Sequence, residues 1–112
     1  MQLANFDAMT GLPNRRRGMA FLKGSLANCQ QEMRWPLSLM LIDVDHLKPV
    51  NDTYGHAAGD AVIAHVARVL VQNVRDSDVV GRLGGDEFGV VLPYTDENGA
   101  REKATTLAAA VA

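Results

Sequence analysis

Apolar residues recur along the 112-residue chain with two kinds of spacing. Steps of three and four residues, which indicate amphipathic helices, occur after Asn14, over residues 61–75 and over residues 100–111. Two short apolar runs, residues 37–45 and 87–93, are typical of buried strands. The first helix should present one apolar face, formed by Met19, Leu22, Leu26, Cys29 and Met33.

The remaining segments complete a predicted order of helix, strand, helix, strand, strand, helix. Pro49 suits the first turn of a further short helix, where its missing N–H is not needed. Gly84 and Gly85 separate strand candidates 78–83 and 87–93, which predicts a two-residue hairpin turn with glycines at positive φ. One helical crossover precedes the hairpin, so we expect an α/β (α+β) fold with a mixed sheet covered by helices.

Composition changes this picture little but excludes some functions. With 11 basic and 13 acidic residues, the formal net charge is -2, which gives no support for binding a nucleic-acid polymer. A single cysteine, Cys29, rules out an intrachain disulfide, and the first residues do not resemble a signal peptide. We therefore expect a cytoplasmic location for this piece, whereas the parent chain is free to be membrane-anchored.

Two carboxylates stand at strand ends that the predicted sheet would bring together. Asp43 ends the first strand and Asp86 follows the glycine pair. Carboxylates at close range repel unless a cation lies between them, and oxygen ligands suit Mg²⁺. The alternative is that these acids simply end strands and occupy turns.

Residues 43–60 carry groups that can recognise a nucleotide. Asn51 and Asp60 offer the donors and acceptors that guanine requires, and Lys48 suits phosphate. His56 falls between two glycines, where a loop would bring it near a ligand. Each residue has an ordinary alternative role as a cap or turn residue.

A second polar cluster is formed by Arg75, Asp78 and Arg82. An arginine beside an aspartate can clamp a guanine or a phosphate. Spacing alone favours the simpler interpretation of a surface ion pair without a binding role.

Three stretches together resemble the GGDEF family of diguanylate cyclases. They are DAMTGLPNRR (7–16), LIDVDHLKPVNDTYGHAAGD (41–60) and RLGGDEF (82–88). The resemblance implies a ferredoxin-like, nucleotidyl-cyclase palm fold over residues 1–112, with the C-terminal part of the domain missing. It also implies condensation of two GTP molecules into cyclic di-GMP and two pyrophosphates.

Carried over by position, the resemblance assigns a role to each candidate residue. The metal ligands for Mg²⁺, or for Mn²⁺, are Asp43, the carbonyl of Val44 and Asp86. Asp86 also becomes the catalytic base, supported by Glu87, while Lys48 contacts phosphate or the transition state. The substrate-binding residues are Asn51, His56, Asp60, Gly84 and Gly85.

The resemblance further implies regulation and assembly. Arg75 and Asp78 match the Arg-x-x-Asp inhibitory site five residues before the signature, which predicts feedback by cyclic di-GMP. Because one domain holds one GTP, a homodimer is implied, with a sensory or receiver domain N-terminal to this one in the parent chain. The alternatives are a non-catalytic module that binds GTP or cyclic di-GMP, and an inactive fragment.

Overall fold

The computed structural model describes residues 5–32, 36–45 and 47–111, and the side chains of residues 5–29, 36–45 and 47–111. Seven elements follow one another along these ranges. They are α1 (Arg15–Glu32), β1 (Leu37–Asp43), α2 (Leu47–Tyr54), α3 (His56–Gln72), β2 (Val79–Arg82), β3 (Glu87–Pro93) and α4 (Glu97–Val111). The predicted order of elements is confirmed. Met33, the last predicted position on the apolar face of α1, lies outside the described residues.

The three strands form a sheet in the order β1-β3-β2. Both β1 and β2 pair with β3 in antiparallel fashion. The α+β class is therefore confirmed, but the described sheet contains no parallel pair, whereas a mixed sheet was expected. The reason is that the helical crossover joins β1 to β2, which run parallel, and β3 inserts between them.

The core lies between one face of the sheet and helices α3 and α4. Phe88 and Val90 of β3 are fully buried, together with Ile63 and Leu70 of α3 and Leu107 of α4. On the opposite face, α1 packs mainly over β2. Gly81 allows that close approach, because a Cβ there would lie 3.2 Å from the carbonyl oxygen of Pro13.

Local signals in the sequence account for several helix boundaries. Asn14 caps α1, since its Oδ1 accepts a hydrogen bond of 3.0 Å from the N–H of Arg17. Pro49 lies in the first turn of α2, as predicted. Gly55, with φ +92°, connects α2 directly to α3. As a result α3 begins at His56, five residues before the predicted start, and the prediction of a loop around His56 is wrong.

The prediction of a two-residue hairpin turn is also wrong. Four residues, Leu83 to Asp86, separate β2 from β3, and neither Gly84 nor Gly85 adopts positive φ. The hairpin closes through a 2.9 Å hydrogen bond from the N–H of Leu83 to the carbonyl of Glu87. We call residues 83–86 the GG loop.

Among the helices within the described ranges, none combines the length and apolar character that a bilayer crossing requires.

Candidate functional site

Four of the predicted site residues lie at one end of the β1–β3 ladder. Asp43 pairs directly with Glu87 in the antiparallel register, so their side chains share one face of the sheet. The next backbone pair is held by a 2.8 Å hydrogen bond from the N–H of Val44 to the carbonyl of Asp86. The structure thus brings Asp43, Val44, Asp86 and Glu87 to the same sheet end, with Glu87 rather than Asp86 opposite Asp43.

The donor set at this sheet end fits a hard divalent cation. The described ranges contain no group of three or more His, Cys, Asp or Glu side chains arranged to hold a metal. Asp43 and Asp86 can each offer a carboxylate, and Val44 can offer its main-chain carbonyl. Mg²⁺ is commonly bound by one or two carboxylates, with water and substrate phosphates completing its shell.

The GG loop borders a cavity of about 430 Å³ beside the start of α1. A Cβ at Gly85 would meet no atom within 4 Å, and one at Gly84 would meet only the flexible carboxylate of Glu87 at 3.0 Å. Neither backbone torsion nor internal packing therefore requires glycine at position 85. What glycine does here is leave the main chain uncovered on the cavity side.

The side chain of Arg82 holds the GG loop and lines the same cavity. Its Nε donates to the carbonyl of Gly84 at 3.1 Å, and its Nη2 donates to the carbonyl of Gly85 at 2.9 Å. Its Nη1 forms an ion pair with Asp7 Oδ2 at 3.1 Å. Grouping Arg82 with Arg75 and Asp78 was therefore wrong, because β2 directs Arg82 to the N-terminal turn instead.

Asp7, the partner of Arg82, is a residue that the sequence analysis did not single out. It accepts hydrogen bonds from the N–H and the hydroxyl of Thr10, at 2.9 and 2.7 Å, besides those from Arg82. Burial opposes ionisation, but the hydrogen bonds from Thr10 and Arg82 outweigh it and lower the pKa of Asp7. The signal in the sequence is the Asp-x-x-Thr-Gly spacing, in which an aspartate caps its own turn.

Asn51 and Asp60 lie on the two packed helices α2 and α3. The amide of Asn51 fits over Gly59, where any Cβ would overlap it. Its Oδ1 is buried without a hydrogen-bond partner in the described part of the chain. Asp60 follows Gly59 directly and is exposed. A buried acceptor without a donor is costly, and Asn51 Oδ1 is such an acceptor within the described residues.

Lys48 and His56 are less constrained. Lys48 forms an exposed ion pair with Asp52, one turn along α2, at 3.1 Å. His56 begins α3 and is exposed. The contacts described for these two side chains do not link them to Asp43 or Asp86.

Arg75 and Asp78 form a tight local pair. The side chain of Asp78 is 0% exposed and accepts from the N–H, Nε and Nη2 of Arg75. The hydrogen bond to Asp78 is the main reason that the pKa of Arg75 is raised. Arg75 Nη2 also donates to the carbonyl of Pro93 and to Thr95 Oγ1. Nη1 has no acceptor among the described residues, and 48% of the side chain is exposed.

A family model described as diguanylate cyclase, GGDEF domain, matches residues 4–112. The chain belongs to the GGDEF family. The probable diguanylate cyclase DgcC of Escherichia coli (strain K12) is 45% identical over 89 residues, which are 80% of this chain and 24% of DgcC. This chain thus spans about a quarter of that relative.

Two solved GGDEF structures share the fold. Diguanylate cyclase SiaD from Pseudomonas aeruginosa, in complex with its activator SiaC, superposes with a TM-score of 0.89 at 35% identity, covering 96% of this chain and 41% of SiaD. The GGDEF domain of DgcB from Caulobacter crescentus, in complex with c-di-GMP, gives 0.90 at 29%, covering 96% and 62%. The predicted palm fold is therefore confirmed for this GGDEF chain.

Proposed function

We propose that this GGDEF chain is the catalytic part of a diguanylate cyclase, which joins two GTP molecules into cyclic di-GMP. The observation that carries the proposal is the intact signature, with Asp86 and Glu87 placed beside Asp43 and Val44 at one sheet end. The diguanylate cyclases among its relatives support the same reaction.

In the proposed site, a divalent cation, Mg²⁺ or Mn²⁺, is held by Asp43, Asp86 and the carbonyl of Val44. When bound, it would supply positive charge that offsets the negative charge of the phosphates. The chain's own residues then have separate tasks. The Asp86 carboxylate accepts the proton of the attacking 3′-hydroxyl, and Glu87 supports the charged region next to it.

The bond changes are symmetric for the two nucleotides. Each 3′-oxygen forms a bond to the α-phosphorus of the other GTP, while the bond from that phosphorus to pyrophosphate breaks. Gly84 and Gly85 leave the main chain open for the triphosphate, consistent with the empty space at Gly85. The side chain of Lys48 is exposed, so its ammonium can leave Asp52 and bind a phosphate oxygen instead.

The base is read, in this proposal, by Asn51 and Asp60, with His56 as a further contact. Asp60 is exposed and accepts from the ring N–H and exocyclic amine of guanine. Asn51 Oδ1 has no hydrogen-bond partner among the described residues, and this supports a role in ligand binding, because a donor from the base would satisfy it.

Assembly and regulation complete the proposal. Because one domain carries one GTP, two copies must face each other, which implies a homodimer. A cytoplasmic location is also part of the proposal. A sensory or receiver domain N-terminal to this one is proposed to control that encounter. Arg75 and Asp78 are proposed to bind the product and inhibit the enzyme. Arg75 Nη1, for which the described residues offer no acceptor, supports this role.

A second candidate is a module that binds cyclic di-GMP without turnover. The observation in its favour is that Arg75 and Asp78 contact each other, Pro93 and Thr95, and none of the residues at the Asp43 sheet end. A binding site of this kind would therefore work without the catalytic residues.

The test is pyrophosphate release from GTP and Mg²⁺ by the intact protein with its activating input present. Asp43→Asn and Asp86→Asn should each lower the rate by about 10²-fold or more, since each removes a charged ligand or base. Arg101→Gln, which removes an exposed ion pair on α4, is the control and should keep the wild-type rate. Turnover unchanged in Asp86→Asn would refute the enzyme proposal, and product binding without turnover would favour the second candidate.

A further inference from the structure

The shape of the GG loop needs an explanation, because its torsions do not provide one. Glycines at positive φ fix the shape of a tight hairpin turn, but Gly84 and Gly85 do not adopt such angles. Within the hairpin, Leu83 donates to Glu87 at 2.9 Å, and Gly84 shares that acceptor at the long distance of 3.4 Å. A four-residue loop containing two glycines should be mobile unless other groups hold it.

The guanidinium of Arg82 supplies those contacts. Each of its three nitrogens meets a protein acceptor: Gly84 O, Gly85 O and the carboxylate of Asp7. The side chain is 16% exposed and Asp7 is 23% exposed, so water competes weakly for these bonds. An arginine in this arrangement donates to two consecutive carbonyl groups from separate nitrogens of a rigid planar fork, which the compact ammonium of a lysine lacks.

Asp7 is itself fixed by the N-terminal turn. Its carboxylate accepts hydrogen bonds from Thr10. In the main chain, the N–H of Asp7 donates to the carbonyl of Leu12, and the carbonyl of Asp7 accepts from the N–H of Gly11. Gly11 has φ +73°, which closes this turn. The same turn holds β2, because the N–H of Arg82 donates to Pro13 O at 2.9 Å. The turn and Arg82 therefore form one hydrogen-bonded unit next to the GG loop.

We propose that Arg82 is a positioning residue for catalysis, anchored by Asp7, which holds the GG loop so that Asp86 lies in reach of its reactants. This inference rests on the proposed cyclase function. It assigns a role in the reaction to residues 7–13, through the contacts that link Asp7 and Arg82 to the loop. A shift of about 1 Å in a reacting group can lower a rate about 10²-fold, so loss of this anchor should affect turnover more than binding.

The experiment compares Arg82→Gln, Arg82→Lys and Asp7→Asn in the intact protein, with Arg101→Gln as the matched control. Two quantities are measured: kcat and KM for GTP, and hydrogen exchange of the Leu83 amide, whose bond to Glu87 closes the hairpin. We expect kcat to fall about 10- to 100-fold in Arg82→Gln and by roughly 3- to 10-fold in the other two, with KM changed less than about threefold. Exchange at Leu83 should accelerate about tenfold or more in Arg82→Gln.

The outcomes separate this inference from the proposed function. If Arg82→Gln and Asp7→Asn keep both the wild-type kcat and the wild-type exchange at Leu83, the positioning role is refuted. A fall in kcat without faster exchange at Leu83 also refutes it, because the effect would then not act through the loop. If the wild type makes no product, the cyclase proposal fails, and the exchange data still decide whether Arg82 holds the loop. Should Arg82→Gln lose its fold, Asp7→Asn, which keeps the side-chain shape, carries the same test.

Discussion

Two arginine–aspartate pairs in this chain have the same chemistry and different surroundings. Arg75 and Asp78 are three residues apart, with a fully buried aspartate and a half-exposed arginine. Arg82 and Asp7 are 75 residues apart, and both side chains are mostly buried. In the first pair Nη1 of the arginine has no acceptor among the described residues, whereas every nitrogen of Arg82 has one.

This difference indicates which arginine can bind a ligand and which one holds the protein's own main chain. The buried carboxylate of Asp78 orients Arg75 while leaving one edge of its guanidinium for another partner. The contacts of Arg82 are directed to main-chain carbonyls and to Asp7, so its effect is to fix the position of a loop. The pair that is close in sequence is thus the better candidate for binding, and the distant pair is the better candidate for positioning.

The largest expected effect on stability is that of Asp78→Ala. The substitution removes a buried acceptor of three hydrogen bonds and leaves the N–H of Arg75 without its partner. We expect a loss of about 2–4 kcal/mol in the free energy of unfolding, measured with urea. A loss no larger than that of Arg101→Gln would show that Asp78 does not organise its surroundings.

Arg75→Gln tests the binding half of the comparison. Loss of a charged donor should weaken cyclic di-GMP binding about 10- to 100-fold in titration calorimetry. Initial rates of cyclic di-GMP formation should stay close to wild type, while inhibition by accumulated product disappears. Equal affinity in Arg75→Gln and Arg101→Gln would remove Arg75 from the inhibitory site.

Asp7→Asn tests the positioning half through its pH dependence. The pKa of Asp7 is below its ordinary value of 3.8, so its stabilising contribution is present above about pH 4 and is lost as pH falls through the lower folded-state pKa. At pH 7 we expect Asp7→Asn to be less stable by about 1–2 kcal/mol, because it weakens charged hydrogen bonds. That gap should close on acidification, and a gap independent of pH would contradict the ion pair.

The smallest expected effect on stability is that of Arg101→Gln, and it serves as the reference for both arginine–aspartate pairs. Arg101 and Glu97 form an ion pair one turn apart on α4, and their side chains are 75% and 79% exposed. Arg101→Gln should lower the free energy of unfolding by only about 0.2–0.5 kcal/mol. If Arg101→Gln lost as much stability as Asp7→Asn, burial would not explain the difference in strength between the Arg82–Asp7 and Arg101–Glu97 ion pairs.

Much of the fold followed from local sequence signals. The apolar periodicity predicted the helices, and the apolar runs predicted strands β1 and β3. Burial was predicted correctly for β3, but the prediction that β1 is a buried central strand is wrong, because β1 lies at the edge of the described sheet with Leu39 and Leu41 49% and 71% exposed. The cap at Asn14 and the place of Pro49 also followed, since each depends on its own turn. The placement of Asp43 and Asp86 at one sheet end could be expected once β1 was paired with the hairpin.

The errors arose where distant residues decide the local conformation. The glycine pair suggested a two-residue turn, but the carbonyls of Gly84 and Gly85 are held by Arg82 in a wider loop. Arg82 was grouped with Arg75 because they are close in sequence, although its partner is Asp7. The start of α3 was misplaced because Gly59 is accommodated by Asn51 of another helix. Periodicity within one segment contains no information about such partners.

The central claim is that the GG loop and Asp43 form the catalytic end of a diguanylate cyclase. The most direct measurement is chromatographic identification of the nucleotide formed from GTP and Mg²⁺ by the intact wild-type protein and by Asp86→Asn. We expect the wild type to form cyclic di-GMP, with two pyrophosphates released for each cyclic di-GMP molecule. Asp86→Asn should form about 10²-fold less or none. It would be contradicted if the wild type with its activating input formed no cyclic di-GMP, or if Asp86→Asn formed it at the wild-type rate.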